Sequence, residues 1–150
     1  MRNISGVDPL NLDLQLCFAL YEAQRAMVQA YRSELEPLGL TYPQYLAFLV
    51  LWEEDGVSVS RLGERLRLDS GTLTPLLKRL ESQGLVRRRR ASDDERRVEI
   101  HLTAKGAALK KRAGKVPLTM LCKAQLPLEQ VAELRATLHR LTQTLTGEAT

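Results

Sequence analysis

Between Ser58 and Thr103 the chain strings together local signals that few architectures satisfy at once. SVSRLGERLRL and DSGTLTPLLKRLESQG are two short helical patterns with only a few residues between them. LVRRRR then reads as a basic strand, ASDDE as a polar turn and RRVEIHLT as a second strand. Helix, tight turn, helix and β-hairpin in that order read as a winged helix-turn-helix, an element that reads DNA. The expected fold class is mainly α with a small β-wing.

Charge points the same way. The formal net charge is +4, but from Arg61 to Arg97 there are eleven Lys/Arg and six Asp/Glu, a local +5 that leaves −1 for the rest. Positive charge gathered on one module favours a polyanionic partner, double-stranded DNA. A basic face that merely solvates the protein is the plainer alternative, and the flanking helical pattern weighs against it. Lys78, Arg79 and the RRRR run are phosphate-binding candidates. Ser70, Thr72 and Thr74, with Pro75 beside them, are candidate base-edge or phosphate contacts near the start of the second helix. Arg96 is the candidate for the minor groove.

The flanks read as helices. Asp8 and Pro9 suit the start of a long helix ending near Leu35. Thr41-Tyr42-Pro43-Gln44 matches a capping box ahead of an apolar helix running to about Glu54. Ser58 caps the third helix and Asp69 or Ser70 the fourth, with Leu73, Leu76, Leu77 and Leu80 facing inward and Gly84 as its stop. Thr103 starts a fifth helix, and a break is expected at Pro117. A last helix begins near Pro127. Its Val131, Leu134, Leu138, Leu141 and Leu145 repeat at 3-4-3-4 spacing, a seam that fits a second copy of the chain. The whole, 1–150, reads as one domain: dimerisation helices at 8–40 and 104–150 around a winged helix-turn-helix at 41–103.

Other classes find little support. No apolar run approaches a membrane span, and no basic-then-apolar leader opens the chain, so a cytoplasmic protein without a membrane partner is expected. Cys17 and Cys122 form no C-x-x-C pair, and His101 and His139 lie far from both, so no metal or cofactor site is expected. No nucleophile–histidine–aspartate signature and no phosphate-binding glycine loop is present, and no enzyme is expected.

These segments, in this order, resemble the MarR family of bacterial transcription regulators. Asp94-Glu95-Arg96 is similar to that family's D-x-R wing motif, whose aspartate holds an arginine that enters the minor groove, and Leu102 to Gly106 matches its LT-x-x-G. LQLCFALYEAQRAMVQAYR, GLTYPQYLAFLVLWE and LDSGTLTPLLKRLE more narrowly resemble the organic hydroperoxide resistance regulators. The resemblance implies a homodimeric repressor of a pseudo-palindromic operator, with an organic hydroperoxide as inducer. It implies that Cys17 senses the peroxide, that Tyr31 and Tyr42 contact it, and that Cys122 is the resolving thiol in an intersubunit disulfide.

Elementary chemistry agrees with those roles. The thiolate is the form that attacks peroxide, and phenol hydroxyls donating to sulfur favour it. Leu16, Phe18, Phe48 and Trp52 are candidate walls of an apolar pocket. Cys17 and Tyr31 lie fourteen residues apart on one expected helix, roughly 21 Å. If they meet, the cysteine comes from the other protomer or the helix breaks. Without the resemblance, a lone cysteine on an apolar helix face reads as a small buried hydrophobe. Two other functions stay open: a MarR-type regulator relieved by a non-covalent aromatic acid, and a thiol-dependent peroxidase.

Overall fold

The computed structural model of the protein describes residues 8–94 and 96–147. In chain order its elements are α1 (Leu16–Leu35), α2 (Tyr42–Glu53), β1 (Val57–Ser58), α3 (Val59–Leu66), α4 (Ser70–Ser82), β2 (Val86–Arg90), β3 (Val98–Leu102), α5 (Ala104–Ala113), α6 (Val116–Ala124) and α7 (Leu128–Thr146). The chain divides into two compact units, one ending at Val116 and one beginning at Pro117. No described helix is long and apolar enough to cross a membrane.

The core of the first unit is built on α2, which is apolar on most sides and packs against α1, α3, α4 and β3. Phe48 and Leu51 of α2, Leu62 of α3, Leu73, Leu77 and Leu80 of α4 and Ile100 of β3 are all 0–1% exposed. Each such side chain contributes about 1.5–3 kcal/mol by leaving water. The expected caps of α2, α3 and α4 form. Gln44 Oε1 accepts the Thr41 N–H at 2.9 Å and completes the capping box of α2. Ser58 accepts from Arg61 N–H, and Asp69 from Thr72 N–H.

The wing is antiparallel, with register from Val86 opposite Leu102 to Arg90 opposite Val98. A third strand joins it. β1 pairs Val57 with Ile100 and Ser58 with Glu99, giving the order β1-β3-β2. Two residues carry no readable periodicity, so β1 leaves no trace in the sequence.

Two boundaries differ from expectation, and α6 forms where no separate helix is expected. The first helix begins at Leu16, not Pro9: Asn11 caps a separate 3-10 turn at Leu12–Leu14, and Gln15 is extended at φ −82°. Asp8 does accept the Leu10 N–H at 2.9 Å, but this closes only a local turn. The later break falls at Gly114–Lys115, ahead of Pro117. Pro117 is the second residue of α6, where its missing N–H would have no helical partner anyway.

The LT-x-x-G pattern has a steric basis. Thr103 caps α5 by accepting the Gly106 N–H, and its hydroxyl lies 2.7 Å from the Gly84 carbonyl oxygen. At Gly106 a side-chain carbon would collide with the Leu85 carbonyl oxygen. The segment just ahead of β2 and the start of α5 therefore approach as closely as backbones can.

In the second unit, α7 carries the apolar seam. Leu134, Leu138 and Leu145 are 50%, 36% and 77% exposed, and Val131 and Leu141 are half-buried. Gln125, just ahead of it, adopts a left-handed conformation at φ 52°.

Candidate functional site

The helix-turn-helix presents one open face. On α4, Leu73, Leu76, Leu77 and Leu80 are buried, as the sequence spacing requires. Ser70, Thr72, Pro75, Lys78 and Arg79 are exposed on the other side, and Thr74 is half-buried between. Thr72 is partly committed: its N–H and hydroxyl both reach the Asp69 carboxylate, at 2.8 and 3.3 Å. That backbone donation holds the Asp69 carboxyl below its usual range, so the cap stays ionised at neutral pH.

The positive charge is less concentrated than the sequence count suggests. Arg61 pairs with Glu54 at 3.0 Å and Arg65 with Glu53 at 2.7 Å. Both acids lie outside the Arg61–Arg97 window, and including them lowers its +5 to +3. In the wing, Arg87, Arg89 and Arg90 are exposed, whereas Arg88 turns toward α4. Asp94 Oδ1 accepts the backbone N–H of Arg96 at 2.9 Å, which fixes the turn and leaves the Arg96 side chain exposed. Among the described residues, the ion pairs at this turn belong to Arg97, 2.8 Å from Asp93 and 3.1 Å from Glu99.

Cys17 is an exposed thiol near the start of α1, and Cys122 is also free and exposed. Around Cys17 the helix shows Leu16 at 63% and Tyr21 at 54% exposure, so its apolar stripe lacks a cover. Tyr31 and Tyr42 do meet, with ring centroids 4.9 Å apart. Tyr45 joins them, 5.7 Å from Tyr31, and continues to Trp52 and Phe48. Tyr45 was not expected in this group, although it lies three residues after Tyr42 and so one helical turn along. Burial raises the pKa of all three phenols, and their mutual proximity adds to this for Tyr31 and Tyr45. They stay protonated and able to donate at neutral pH. Next to Tyr42 opens a cleft of about 540 Å³, with Val28, Arg32, Leu40 and Pro43 in its walls.

The cysteine and the tyrosines do not meet within one chain. Helix α1 is unbroken from Leu16 to Leu35, so Cys17 and Tyr31 are roughly 21 Å apart along it. Of the four expected pocket walls, Leu16 and Phe18 sit at the cysteine end, while Phe48 is fully buried in the core against Trp52. Among the described residues no His/Cys/Asp/Glu group could hold a metal.

Comparison with known proteins frames this geometry. A family model for the transcriptional regulator SarA/Rot matches residues 29–113. An organic hydroperoxide resistance transcriptional regulator of Bacillus subtilis (strain 168) is 48% identical over 138 residues, 92% of this chain and 94% of its own. The chain belongs to the MarR family, in its organic hydroperoxide resistance branch. Members of this family are transcriptional regulators, not enzymes. The HTH-type transcriptional regulator TtmR of Methylorubrum extorquens (strain PA1) is 53% identical over 139 residues, covering 88% of this chain and 71% of that one. Reduced AbfR bound to DNA superposes with a TM-score of 0.77 at 38% identity, covering 91% of this chain and 93% of that one. AbfR has also been solved in a disulfide form, with a TM-score of 0.63 at 37% identity, covering 91% and 90%. The open face of α4 and the hairpin β2–β3 are thus the helix and wing of a MarR-type winged helix.

Proposed function

We propose that this chain is a homodimeric, cytoplasmic repressor that holds a pseudo-palindromic DNA operator while reduced and releases it when an organic hydroperoxide oxidises Cys17. The observation that carries the reading is the split sensor: a tyrosine pair beside a cleft, and an exposed cysteine too far along the same straight helix to reach it. A second copy resolves the split, because its Cys17 can enter where its partner's Tyr31 and Tyr42 wait. The uncovered apolar residues of α1 and the seam on α7 supply the surface for that copy. Ser70, Thr72, Thr74, Pro75, Lys78 and Arg79 then face the major groove, Asp94 shapes the wing turn, and Arg96 enters the minor groove.

The chemistry balances simply. The Cys17 thiolate attacks the outer peroxide oxygen, the O–O bond breaks, and the departing alkoxide takes a proton to become an alcohol. Phenol hydroxyls hydrogen-bonded to the sulfur stabilise the thiolate that begins the step. The resulting sulfenic acid condenses with the Cys122 thiol of the other protomer, forming a disulfide and releasing water. Disulfide geometry draws the two Cα atoms to within about 7 Å, and that movement respaces the recognition helices. AbfR, solved both reduced on DNA and as a disulfide, is a precedent for such a cycle in a relative.

The test is operator binding before and after one equivalent of cumene hydroperoxide, repeated with Cys17→Ser. Wild type is expected to release DNA and the variant to bind and ignore the oxidant. Release by Cys17→Ser would sink the thiol sensor. It would favour a second reading, for which the cleft beside Tyr42 and Arg32 speaks: an aromatic acid bound there without covalent chemistry.

A further inference from the structure

We infer that Glu81 and Arg88 form a clamp that sets the recognition helix against the wing, so that Arg88 positions the reader instead of contacting phosphate. This rests on the reading of α4 and the wing as the DNA interface. Strand β2 alternates, and its buried residue Val86 shares a face with Arg88. Arg88 stands opposite Ile100, which is fully buried, and its side chain is 29% exposed. Its neighbours Arg87, Arg89 and Arg90 are all exposed.

Among the described residues, the side-chain and outward-amide bonds of Arg88 go to α4. Nη2 donates to the Thr74 carbonyl oxygen at 3.4 Å. The backbone N–H donates to Glu81 Oε1 at 3.2 Å, and Nε lies 3.7 Å from Glu81 Oε2. Because β2 is at the edge of the sheet, Glu81 gives that outward N–H the partner which the ladder does not. Nε itself is buried without a hydrogen bond among the described residues, so the ion pair with Glu81 is what compensates it. Thr74 and Glu81 are seven residues apart, about 10 Å along the helix axis. Two anchors at that separation fix the direction of α4 as well as its position. A recognition helix and a wing that touch separate grooves must keep such an angle.

The test is a salt series of operator binding for wild type, Glu81→Ala, Arg88→Lys and Arg88→Met. Failure of the wild type to bind would sink the DNA reading itself, separately from the clamp. Electrostatics alone makes Glu81→Ala bind more tightly, since it removes an acid beside DNA. Loss of the clamp makes it bind more weakly, and we expect a drop of roughly ten-fold. Arg88→Lys keeps the charge but lacks the planar fork that reaches both anchors, so it is expected to weaken binding similarly. Arg88→Met is expected to leave the salt slope unchanged, whereas loss of a phosphate ligand would lower it by about 0.9. Tighter binding by Glu81→Ala, wild-type affinity in Arg88→Lys, or a lowered slope in Arg88→Met would each overturn the clamp.

Discussion

At Gly106 a single hydrogen atom decides whether the wing can close. The Leu85 carbonyl oxygen lies where a Cβ would stand, and both partners are backbone, so neither rotates away. Gly106→Ala is expected to lower unfolding stability by roughly 3 kcal/mol, the range of overpacking in a rigid site. Urea denaturation measures it, and a variant as stable as wild type would refute the close approach. The tyrosines make a second prediction. A raised phenol pKa means the folded state holds its proton more tightly than the unfolded chain. The stability this contributes is present below the ordinary value of 10.0 and is lost as pH rises beyond it toward the folded values. Alkaline unfolding of the reduced protein should therefore be blunted in Tyr45→Phe. Spectroscopic titration that finds Tyr31, Tyr42 and Tyr45 ionising below the ordinary range would contradict the burial argument.

The elements most legible in the sequence are those whose signals are local. Ser58, Asp69 and Thr103 each cap a helix through an amide three residues ahead, so the whole interaction lies in one tetrapeptide. The start of α1 escaped that logic because two capping sequences compete: Asp8-Pro9 closes a turn and Asn11 a 3-10 helix before the long helix can begin. Helix α5 was expected, but not its use of cations. Lys105, Lys110 and Arg112 donate to the carbonyls of Gln83, Trp52 and Pro37, each at or just past the end of another helix. Those charges tie α5 to segments at the ends of α4, α2 and α1. At the recognition helix, Asp69→Ala should speed hydrogen exchange at the Thr72 amide and weaken operator binding. The cap itself should persist in acid, since the depressed Asp69 pKa means its contribution is lost only as pH falls below the usual carboxyl value of 3.8. Unchanged exchange at Thr72 would remove the cap from the account of DNA binding.

At the scale of the molecule, one chain looks unfinished. Leu16, Tyr21 and Met27 of α1 and Leu134, Leu138 and Leu145 of α7 leave apolar surface that a soluble monomer would ordinarily cover. A two-fold dimer would cover it, complete the sensor and place two recognition helices about 34–36 Å apart, one turn of DNA. Non-reducing electrophoresis of peroxide-treated protein should then show a species near twice 16.9 kDa that Cys122→Ser abolishes. A band that stays monomeric with both thiols consumed would mean an intrachain bond and would end the shared-site model.

What the sequence determined alone was the order of the helices apart from α6, the inward leucines of α4, the caps of α2 to α5, the wing and the family. All of these rest on spacings of a few residues or on runs that survive as written. Tertiary structure decided which arginine of the RRRR run turns inward, that Arg61 and Arg65 are paired with Glu54 and Glu53, that β1 joins the sheet, and that Tyr45 stands beside Tyr31. It also decided that Cys17 and Tyr31 are held apart by an unbroken α1, which the sequence had left as one of two possibilities. The reason is common to all of these. Helical and capping signals act between residues a turn apart, whereas strand pairing, ion-pair choice and ring contacts depend on which distant segments the folded core brings together.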